Sequence, residues 1–289
     1  MRVVAPAGVI PSDRLDLGLA FLRDRGFDVQ WDEGGLDSWR YLAGPDERRR
    51  AELSAALTDP DVRCVWAARG GYGTMRLLAE LPWGDVPSPR WLVGFSDVTA
   101  LHAAWLDHGP GGGALHGPNV VTLGSVGGTD RDQVFGLLTG AFPPAALGVQ
   151  GLRSVVDGVA QGRLVGGNLS LVTRLLGTPW GLDLQGGILF LEDVGERPYR
   201  LDRMLTHLEL AGAPAAVAGV ILGDFVGCEE QGAQYCATDV LEERLARWGV
   251  PVLAGFPAGH GVRCRALPMG VQARIGDGRV EVLEAPWSG

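Results

Sequence analysis

The stretch WLVGFSDVTALHAAW, residues 91–105, contains three different sequence patterns in succession. An apolar run ends at Val93, a polar turn follows at residues 94–97, and a helical pattern begins near Thr99. A strand that passes through a tight turn into a helix is half of a βαβ unit. The stretch therefore predicts an α/β fold in which Ser96 lies on a strand-to-helix turn.

The sequence around this stretch repeats the alternation of short apolar runs and helical patterns over residues 1–140. Such alternation is typical of βαβ units around a parallel sheet. The predicted elements are strands over residues 3–4, 62–66, 91–93 and 114–115, helices over residues 12–25 and 46–57, and an extended segment over residues 27–31. Residues 1–140 are therefore predicted to form an N-terminal open α/β domain with a parallel sheet.

Residues 141–160 interrupt this pattern, because proline, glycine and small side chains dominate there, and we predict an interdomain connection. The pattern then resumes with predicted strands over residues 187–191 and 217–222, helices over residues 199–211 and 239–248, and a hairpin of residues 271–275 and 280–283. The first of these helices has apolar residues at helical spacing, which predicts a core-facing stripe of Leu201, Met204, Leu205 and Leu208. Residues 161–289 are therefore predicted to form a smaller, mixed α/β C-terminal domain.

Length and composition place the chain among globular proteins. With 289 residues, 46% of them hydrophobic, it can bury a sizeable core in two compact units. Its formal net charge of -9, without a basic cluster flanked by aromatic residues, argues against a nucleic-acid partner. We expect a cytoplasmic location and no membrane partner, because the sequence has neither a bilayer-length apolar run nor a signal-peptide pattern. All 25 basic residues are arginine, and the four cysteines lack metal-site spacing, so neither a lysine nucleophile nor a metal is expected.

Ser96 is the candidate nucleophile, because a strand-to-helix turn holds a serine out of the sheet and points helix amides toward its target. The alternative is that Ser96 or Asp97 only caps the helix. Upstream, the loop ARGGYG places Gly70, Gly71 and Gly73 after another predicted strand, where backbone amides can approach a ligand closely. The loop lacks the lysine of a phosphate-binding loop, so a second oxyanion donor is the better interpretation.

A serine nucleophile needs a base, and histidine is the usual choice because its ordinary pKa lies near neutral pH. Among the five histidines, His260 lies in the glycine-flanked loop GFPAGHGV, where open α/β folds place functional side chains. His116 ends a predicted strand and could line a cleft. The remaining three have ordinary structural explanations: His102, His108 and His207. His260 is therefore the candidate base.

The base in turn needs an acceptor for its second ring nitrogen. Glu192 and Asp193 end a predicted buried strand, and an acid at that position points into the same kind of crevice. A structural ion pair is the alternative role for Glu192. Glu196 and Asp202 are further candidate acids, although nearby arginines favour solvated or paired side chains at these two positions.

Five separated segments together resemble the signature segments of the LD-carboxypeptidase family of serine peptidases. They occur in the family's order as ARGGYG at residues 68–73, GFSDVTALH at 94–102, GGNLS at 166–170, LEDVGERPYRLDRML at 191–205 and GHGVRCRALPMG at 259–270. The resemblance implies a triad of Ser96, His260 and Glu192, with backbone amides of Asp97 and Gly71 as the oxyanion hole. It also implies an active site in the groove between the two domains, no metal or cofactor, and a homodimer.

The resemblance implies one of two substrate classes. Family members typically release terminal D-alanine from cytoplasmic murein tetrapeptide during cell-wall recycling, whereas the microcin C self-immunity branch cleaves aminoacyl-nucleotides. The chain has no long insertion before the GH segment that could build a nucleotide-binding loop, which favours murein peptide. Because this substrate carries carboxylates, Arg69 is the first candidate ligand, followed by His116 and Asn168. Each has a structural alternative, such as capping by Asn168 of a helix that starts at Leu169.

Two rival interpretations remain at this point. An α/β-hydrolase esterase has the same order of serine, acid and histidine, but its nucleophile turn requires glycine where this chain has Val98. The rival from another class is a non-catalytic protein that holds a small anion on the ARGGYG loop. A serine-reactive probe would label Ser96 only if that residue is activated.

Overall fold

Two β-sheets organise the chain in the computed structural model, which describes residues 1–110, 112–141 and 148–285. The strands are β1 (Arg2–Val4), β2 (Cys64–Ala67), β3 (Trp91–Gly94), β4 (Ala114–His116), β5 (Val149–Gln150), β6 (Arg153–Val156), β7 (Ala160–Asn168), β8 (Ile188–Val194), β9 (Gly219–Val226), β10 (Val252–Ala254), β11 (Leu267–Met269), β12 (Gln272–Gly276) and β13 (Arg279–Val282). The α-helices are α1 (Ser12–Asp24), α2 (Asp46–Thr58), α3 (Thr99–His108), α4 (Gly128–Leu138), α5 (Leu169–Leu175), α6 (Pro198–Leu210), α7 (Ala213–Ala216) and α8 (Ala237–Leu245).

The first sheet has five strands in the order β1-β2-β3-β4-β11. Strands β1 to β4 pair in parallel, and β11 pairs antiparallel with β4. Every residue of β2 and β3 is buried, as expected for central parallel strands that are covered on both faces. The predicted parallel sheet of the N-terminal half is thus confirmed, with β11 as an unexpected edge strand.

The second sheet has eight strands in the order β5-β13-β12-β7-β8-β9-β10-β6. Its centre, β7 to β10, is parallel, while the outer pairings β12 with β7, β13 with β12, β5 with β13 and β6 with β10 are antiparallel. The predicted hairpin across residues 276–278 forms β12 and β13. The second half is therefore mixed α/β, as predicted.

Two helices show how the apolar pattern determines burial. The predicted stripe of α6 is buried as a set: Leu201, Met204, Leu205 and Leu208. In α3 every residue from Thr99 to Leu106 is buried, because this helix packs against β4 on one side and against α5 and β7 on the other. α3 therefore lies between the two sheets and carries the Ser96 turn at its N-terminus.

Several parts of the chain differ from the sequence-based expectation. The predicted connection carries β5 and β6 on opposite edges of the eight-stranded sheet, while residues 142–147 of it lie outside the described residues. Residues 27–31 form only an isolated bridge, from Gln30 to Arg2. None of the helices in the described ranges combines the length and apolar character needed to cross a membrane.

Candidate active site

Ser96 occupies the turn between β3 and α3, as predicted. β3 ends at Gly94, the 3₁₀ turn Ser96–Val98 follows, and α3 begins at Thr99. The φ angle of Ser96 is 65°, in the left-handed region that residues other than glycine rarely adopt. Strained backbone of this kind clusters at functional sites, and here it accompanies a serine that contacts the loop of His260.

Three side chains from separate parts of the fold form a chain of hydrogen bonds at this turn. Oγ of Ser96 lies 3.1 Å from Nε2 of His260, and Nδ1 of His260 lies 2.7 Å from Oε2 of Glu192. His260 lies in the loop after β10, and Glu192 lies in the last part of β8. Because a carboxylate can only accept, Nδ1–H donates to Glu192, which leaves Nε2 free to accept the Ser96 proton. The structure thus brings together the three residues that the family resemblance implied.

Burial opposes the charged form of both His260 and Glu192. Burial alone would lower the pKa of His260, but the hydrogen bond and negative charge of Glu192 outweigh it, so this pKa lies above its ordinary value. Burial also raises the pKa of Glu192, against the lowering effect of its hydrogen bond to His260. The side chain of Glu192 is fully buried, whereas that of His260 keeps some exposure. The buried Glu192 therefore holds one side of the imidazole, and the other side is exposed to the cleft.

Asn168 holds Glu192 from the opposite side. Its Nδ2 donates to Oε1 of Glu192 at 3.3 Å and to Oδ1 of Asp193 at 3.0 Å. Its Oδ1 accepts from the N–H of Leu171 at 3.2 Å, so Asn168 caps α5, as the structural alternative predicted. The backbone N–H of Asn168 donates to Oγ1 of Thr99 at 3.0 Å. Asn168 is buried and links the start of α3 to Glu192, instead of facing the cleft.

The ARGGYG loop packs directly against the Ser96 turn. A Cβ atom at Gly70 would lie 3.0 Å from Cβ and 3.2 Å from Oγ of Ser96. The N–H of Gly71 makes no hydrogen bond within the described part of the chain. Thr74 ties the loop to the turn, because its N–H donates to the buried Asp97 carboxylate at 2.9 Å and its Oγ1 donates to the Asp97 carbonyl at 2.7 Å. Burial raises the pKa of that carboxyl group, against these hydrogen bonds.

A cleft of about 350 Å³ opens in front of Ser96 and His260. Arg14, at the start of α1, and Arg69 both line it and bring positive charge to its wall. The guanidinium of Arg69 also donates to the Val9 carbonyl, which fixes its orientation. Within the described ranges, no group of histidine, cysteine and acidic side chains is arranged to hold a metal ion. The arrangement offers a nucleophile, a base and cationic groups for an anionic substrate.

His116 does not line the cleft. Its ring is fully buried and packs edge-on against Phe95 and Phe190, with ring centroids 5.9 Å and 5.0 Å away. Neither ring nitrogen has a hydrogen-bond partner in the described residues, and burial holds its pKa well below the ordinary value. His116 is therefore a neutral core residue behind Phe95, which in turn packs against His260 at 4.8 Å between ring centroids.

The site also includes residues that the sequence analysis did not single out. Asn119 lines the cleft, and its Oδ1 accepts from the N–H of Phe95 at 3.3 Å, next to the nucleophile. Its position in GPN, just after the predicted strand at residues 114–115, was a usable signal. Arg14 on α1 and Asp224 on β9 carried no local signal, because only the tertiary fold brings them near the site.

Three similar proteins match this chain over most of their length, two in sequence and one in structure. The chain is 36% identical to a murein tetrapeptide carboxypeptidase of Pseudomonas aeruginosa, over 97% of this chain and 94% of that protein. It is 28% identical to the microcin C7 self-immunity protein of Escherichia coli, over 94% and 88% of the two chains. The crystal structure of a muramoyltetrapeptide carboxypeptidase from Oxalobacter formigenes superposes with a TM-score of 0.85 at 31% identity, covering 99% of both chains.

The two halves of the chain also match two family models. Residues 1–117 match the LD-carboxypeptidase N-terminal domain, and residues 161–275 match the LD-carboxypeptidase C-terminal domain. Ser96 lies in the first match, and Glu192 and His260 lie in the second. With both halves matched and related proteins aligned along almost the whole chain, this protein belongs to the LD-carboxypeptidase family.

Proposed function

We propose that this chain is a serine carboxypeptidase that releases the terminal D-alanine of murein tetrapeptide. The observation that carries the proposal is the chain of hydrogen bonds from Ser96 through His260 to Glu192, in which Ser96 and His260 line a cleft and Glu192 is buried behind them. Murein peptide is favoured over an aminoacyl-nucleotide by the higher identity to the P. aeruginosa murein tetrapeptide carboxypeptidase, 36% against 28% for the microcin C7 self-immunity protein.

The proposed reaction is acyl transfer through a covalent intermediate. Oγ of Ser96 attacks the scissile carbonyl while Nε2 of His260 accepts its proton, 3.1 Å away. Glu192 accepts the other ring N–H and stabilises the imidazolium that forms. His260 then donates its proton to the departing D-alanine amine. Water repeats the sequence on the acyl-enzyme and regenerates Ser96.

The oxyanion of the tetrahedral intermediate is proposed to lie between two backbone amides. The Asp97 N–H is at the start of the 3₁₀ turn, where the first amides have no partner within the helix. The Gly71 N–H lies in the loop that packs against Ser96. Amides fixed in position stabilise developing charge strongly, because they need no reorganisation during the reaction. The hydrogen bonds between Thr74 and Asp97 fix the position of the glycine loop, and so of the Gly71 N–H, relative to the Asp97 N–H.

Substrate binding is assigned to the arginines of the cleft. A carboxypeptidase substrate ends in a carboxylate, and Arg69 lines the cleft close to the Ser96 turn, with Arg14 nearby. Arginine suits a carboxylate because its planar donors can bind both oxygens. His116 and Asn168 are assigned supporting roles instead, since both are buried away from the cleft.

The test is release of D-alanine from murein tetrapeptide, followed by mass spectrometry, with the wild-type protein and its Ser96→Ala variant. Loss of the nucleophile should lower kcat by at least about 10⁴-fold, as in other serine triads. Ser154→Ala is the matched control, because this serine is exposed on the edge strand β6 and should leave the rate unchanged.

Near-native turnover by a folded Ser96→Ala variant would refute the assignment of the nucleophile. If the wild type leaves the tetrapeptide intact but cleaves an aminoacyl-sulfamoyl nucleotide, the murein substrate is wrong and the self-immunity branch takes its place. A cytoplasmic location and a homodimer complete the proposal, and light scattering of the purified protein would test the second.

A further inference from the structure

Asp224 lies directly beneath the loop that carries His260. It is part of β9, the neighbour of the strand β8 that carries Glu192. The backbone N–H of Asp224 donates to the carbonyl of Ala258 at 2.9 Å, two residues before His260. One end of the His260 loop is therefore attached to β9 at this residue.

Because Gly259 and Gly261 have no side chains, the backbone of the His260 loop can pack closely against Asp224. A Cβ atom at Gly261 would lie 2.5 Å from Oδ2 of Asp224, closer than any real contact of this kind. A Cβ atom at Gly259 would lie 3.1 Å from Cβ of Asp224 and 2.9 Å from Oε2 of Glu192. The backbone on both sides of His260 thus packs against two carboxylates, one from β8 and one from β9.

One oxygen of the Asp224 carboxyl group lacks a hydrogen-bond partner within the described part of the chain. Its Oδ2 is buried and has no hydrogen-bond partner among the described residues. Burial raises its pKa to about 6, with the Gly261 N–H opposing the rise and the charge of Glu192 adding to it. A carboxylate oxygen that is buried without a hydrogen-bond partner costs free energy, so Oδ2 of Asp224 stands out among the polar atoms near His260.

We propose that Asp224 is a positioning residue for His260, which holds the His260 loop in place and adds a further negative charge to those of Glu192 and Asp193 near the imidazole. This inference rests on the proposed function of His260 as the base. The ionised carboxylate stabilises the imidazolium, and so raises the pKa of His260 in the same direction as Glu192 does. Asp224 therefore makes His260 a stronger base above about pH 6.

Other groups also act on these two residues. Glu192 and Asp193 on β8 both raise the pKa of His260, and His116 faces it from behind Phe95. The thiol of Cys264 also lies near Asp224; burial raises the pKa of this thiol, and the negative charge of Asp224 adds to the rise. Asp224 itself lines a second cleft of about 400 Å³ on the surface around β9 and α8, separate from the cleft at Ser96. The other charged side chains that line this second cleft, Arg153 and Glu242, pair with each other.

The test is an NMR titration of the imidazole signals in the whole protein, with His260 identified by its missing signal in a His260→Gln variant. Asp224→Asn should lower the pKa of His260 by about half to one unit, because one of its negative neighbours loses its charge. The acid limb of the kcat profile should move to lower pH by the same amount, and the plateau kcat should fall roughly three- to thirtyfold with little change in KM. Asp157→Asn is the matched control, because this acid is exposed and is not among the charges that act on His260 within the described residues.

An unchanged pKa of His260 in the folded Asp224→Asn variant would overturn the proposal. Asp224→Ser is the second variant, in case the carboxamide prevents folding. The titration needs no substrate, so it still decides the role of Asp224 if the wild type fails to cleave murein tetrapeptide. That failure would contradict the proposed function alone.

Discussion

Gly70 marks the closest approach of the glycine loop to the nucleophile. It does not have a positive φ angle, so alanine can adopt its backbone conformation without strain. The added methyl group would lie 3.0 Å from Cβ and 3.2 Å from Oγ of Ser96. We therefore expect Gly70→Ala to displace the nucleophile and lower kcat by about 100-fold with little loss of stability. Steady-state kinetics on murein tetrapeptide, with a thermal unfolding curve, would measure both effects.

Gly84→Ala is the matched control for this substitution. A Cβ atom at Gly84 meets no other atom within 4 Å, so the same chemical change should leave kcat unaltered. If Gly70→Ala were as active as Gly84→Ala, the loop would be less closely packed on Ser96 than the structure describes.

At the residue scale, the sequence predicted what depends on local chain geometry. The strand-to-helix turn at Ser96 and the glycine-flanked loop at His260 were predicted from neighbours in the sequence. Helix capping stayed open for Ser96 at that stage, and the full triad came from the family resemblance. Asn168 was predicted as a candidate substrate ligand with helix capping as the alternative, and the structure shows the cap. Its contact with Glu192 was not predictable, because it depends on the parallel pairing of β7 with β8. Asp224 was missed for the same reason, since only the packing of β9 under the loop gives it a role.

At the scale of elements, the start of α5 connects helix capping to the orientation of Glu192. Asn168→Ala removes the cap of α5 and the hydrogen bond to Oε1 of Glu192 together. We expect a loss of about 1–2 kcal/mol in the free energy of unfolding, and a fall in kcat of roughly ten- to a hundredfold because Glu192 loses a fixed partner. Denaturant unfolding and steady-state kinetics would measure the two effects separately.

Asp239→Ala is the control that separates capping from catalysis. Asp239 accepts from the N–H of Cys236 at 2.8 Å and caps α8, so its loss should weaken a helix end without changing kcat. Equal kcat values for the two variants would show that Asn168 serves only as a helix cap.

The helices and strands could be predicted wherever the periodic pattern of apolar residues extended over enough of the sequence. The stripe of α6 and the buried runs of β3 and β8 agree with their patterns, because each extends over a full face or a full strand. The short edge strands β5 and β6 were missed, since two to four partly exposed residues carry no clear alternation. Their place in the sheet is set by their neighbours β13 and β10.

At the scale of the whole molecule, the segment after His260 joins the two sheets. Asp130 on α4 accepts from Nε and Nη2 of Arg263 at 2.7 and 2.8 Å, and from the N–H of Cys264 at 3.1 Å. The chain then enters the first sheet as β11, antiparallel to β4. The His260 loop is thus anchored to β9 at one end and to the N-terminal half at the other. The sequence did not predict strand β11, because the three residues Leu267–Met269 are too few to show a periodic pattern.

This anchor predicts a pH-dependent stability that the sequence alone could not suggest. Burial would raise the pKa of Asp130, but its hydrogen bonds with Arg263 and Cys264 outweigh burial, so the pKa lies below its ordinary value of 3.8. A lowered pKa in the folded state gives stability that is present above pH 3.8 and is lost as the pH falls through the lowered value. We therefore expect Asp130→Asn to lose about 1–3 kcal/mol at pH 7, and the difference from the wild type to shrink only as the pH falls below 3.8 and through the lowered pKa.

Urea unfolding of both proteins at pH 7 and at a series of pH values below 3.8 would measure this difference. Asp132→Asn is the matched control, because its carboxylate pairs with Arg25 at the surface, where an ion pair contributes less than about 1 kcal/mol. Asp130 is fully buried and also holds the backbone of Cys264, so its removal should loosen the His260 loop and lower kcat/KM at pH 7 as well. Equal stability losses for the two variants, or a loss at Asp130 that does not depend on pH, would contradict the role of this ion pair as an anchor of the His260 loop.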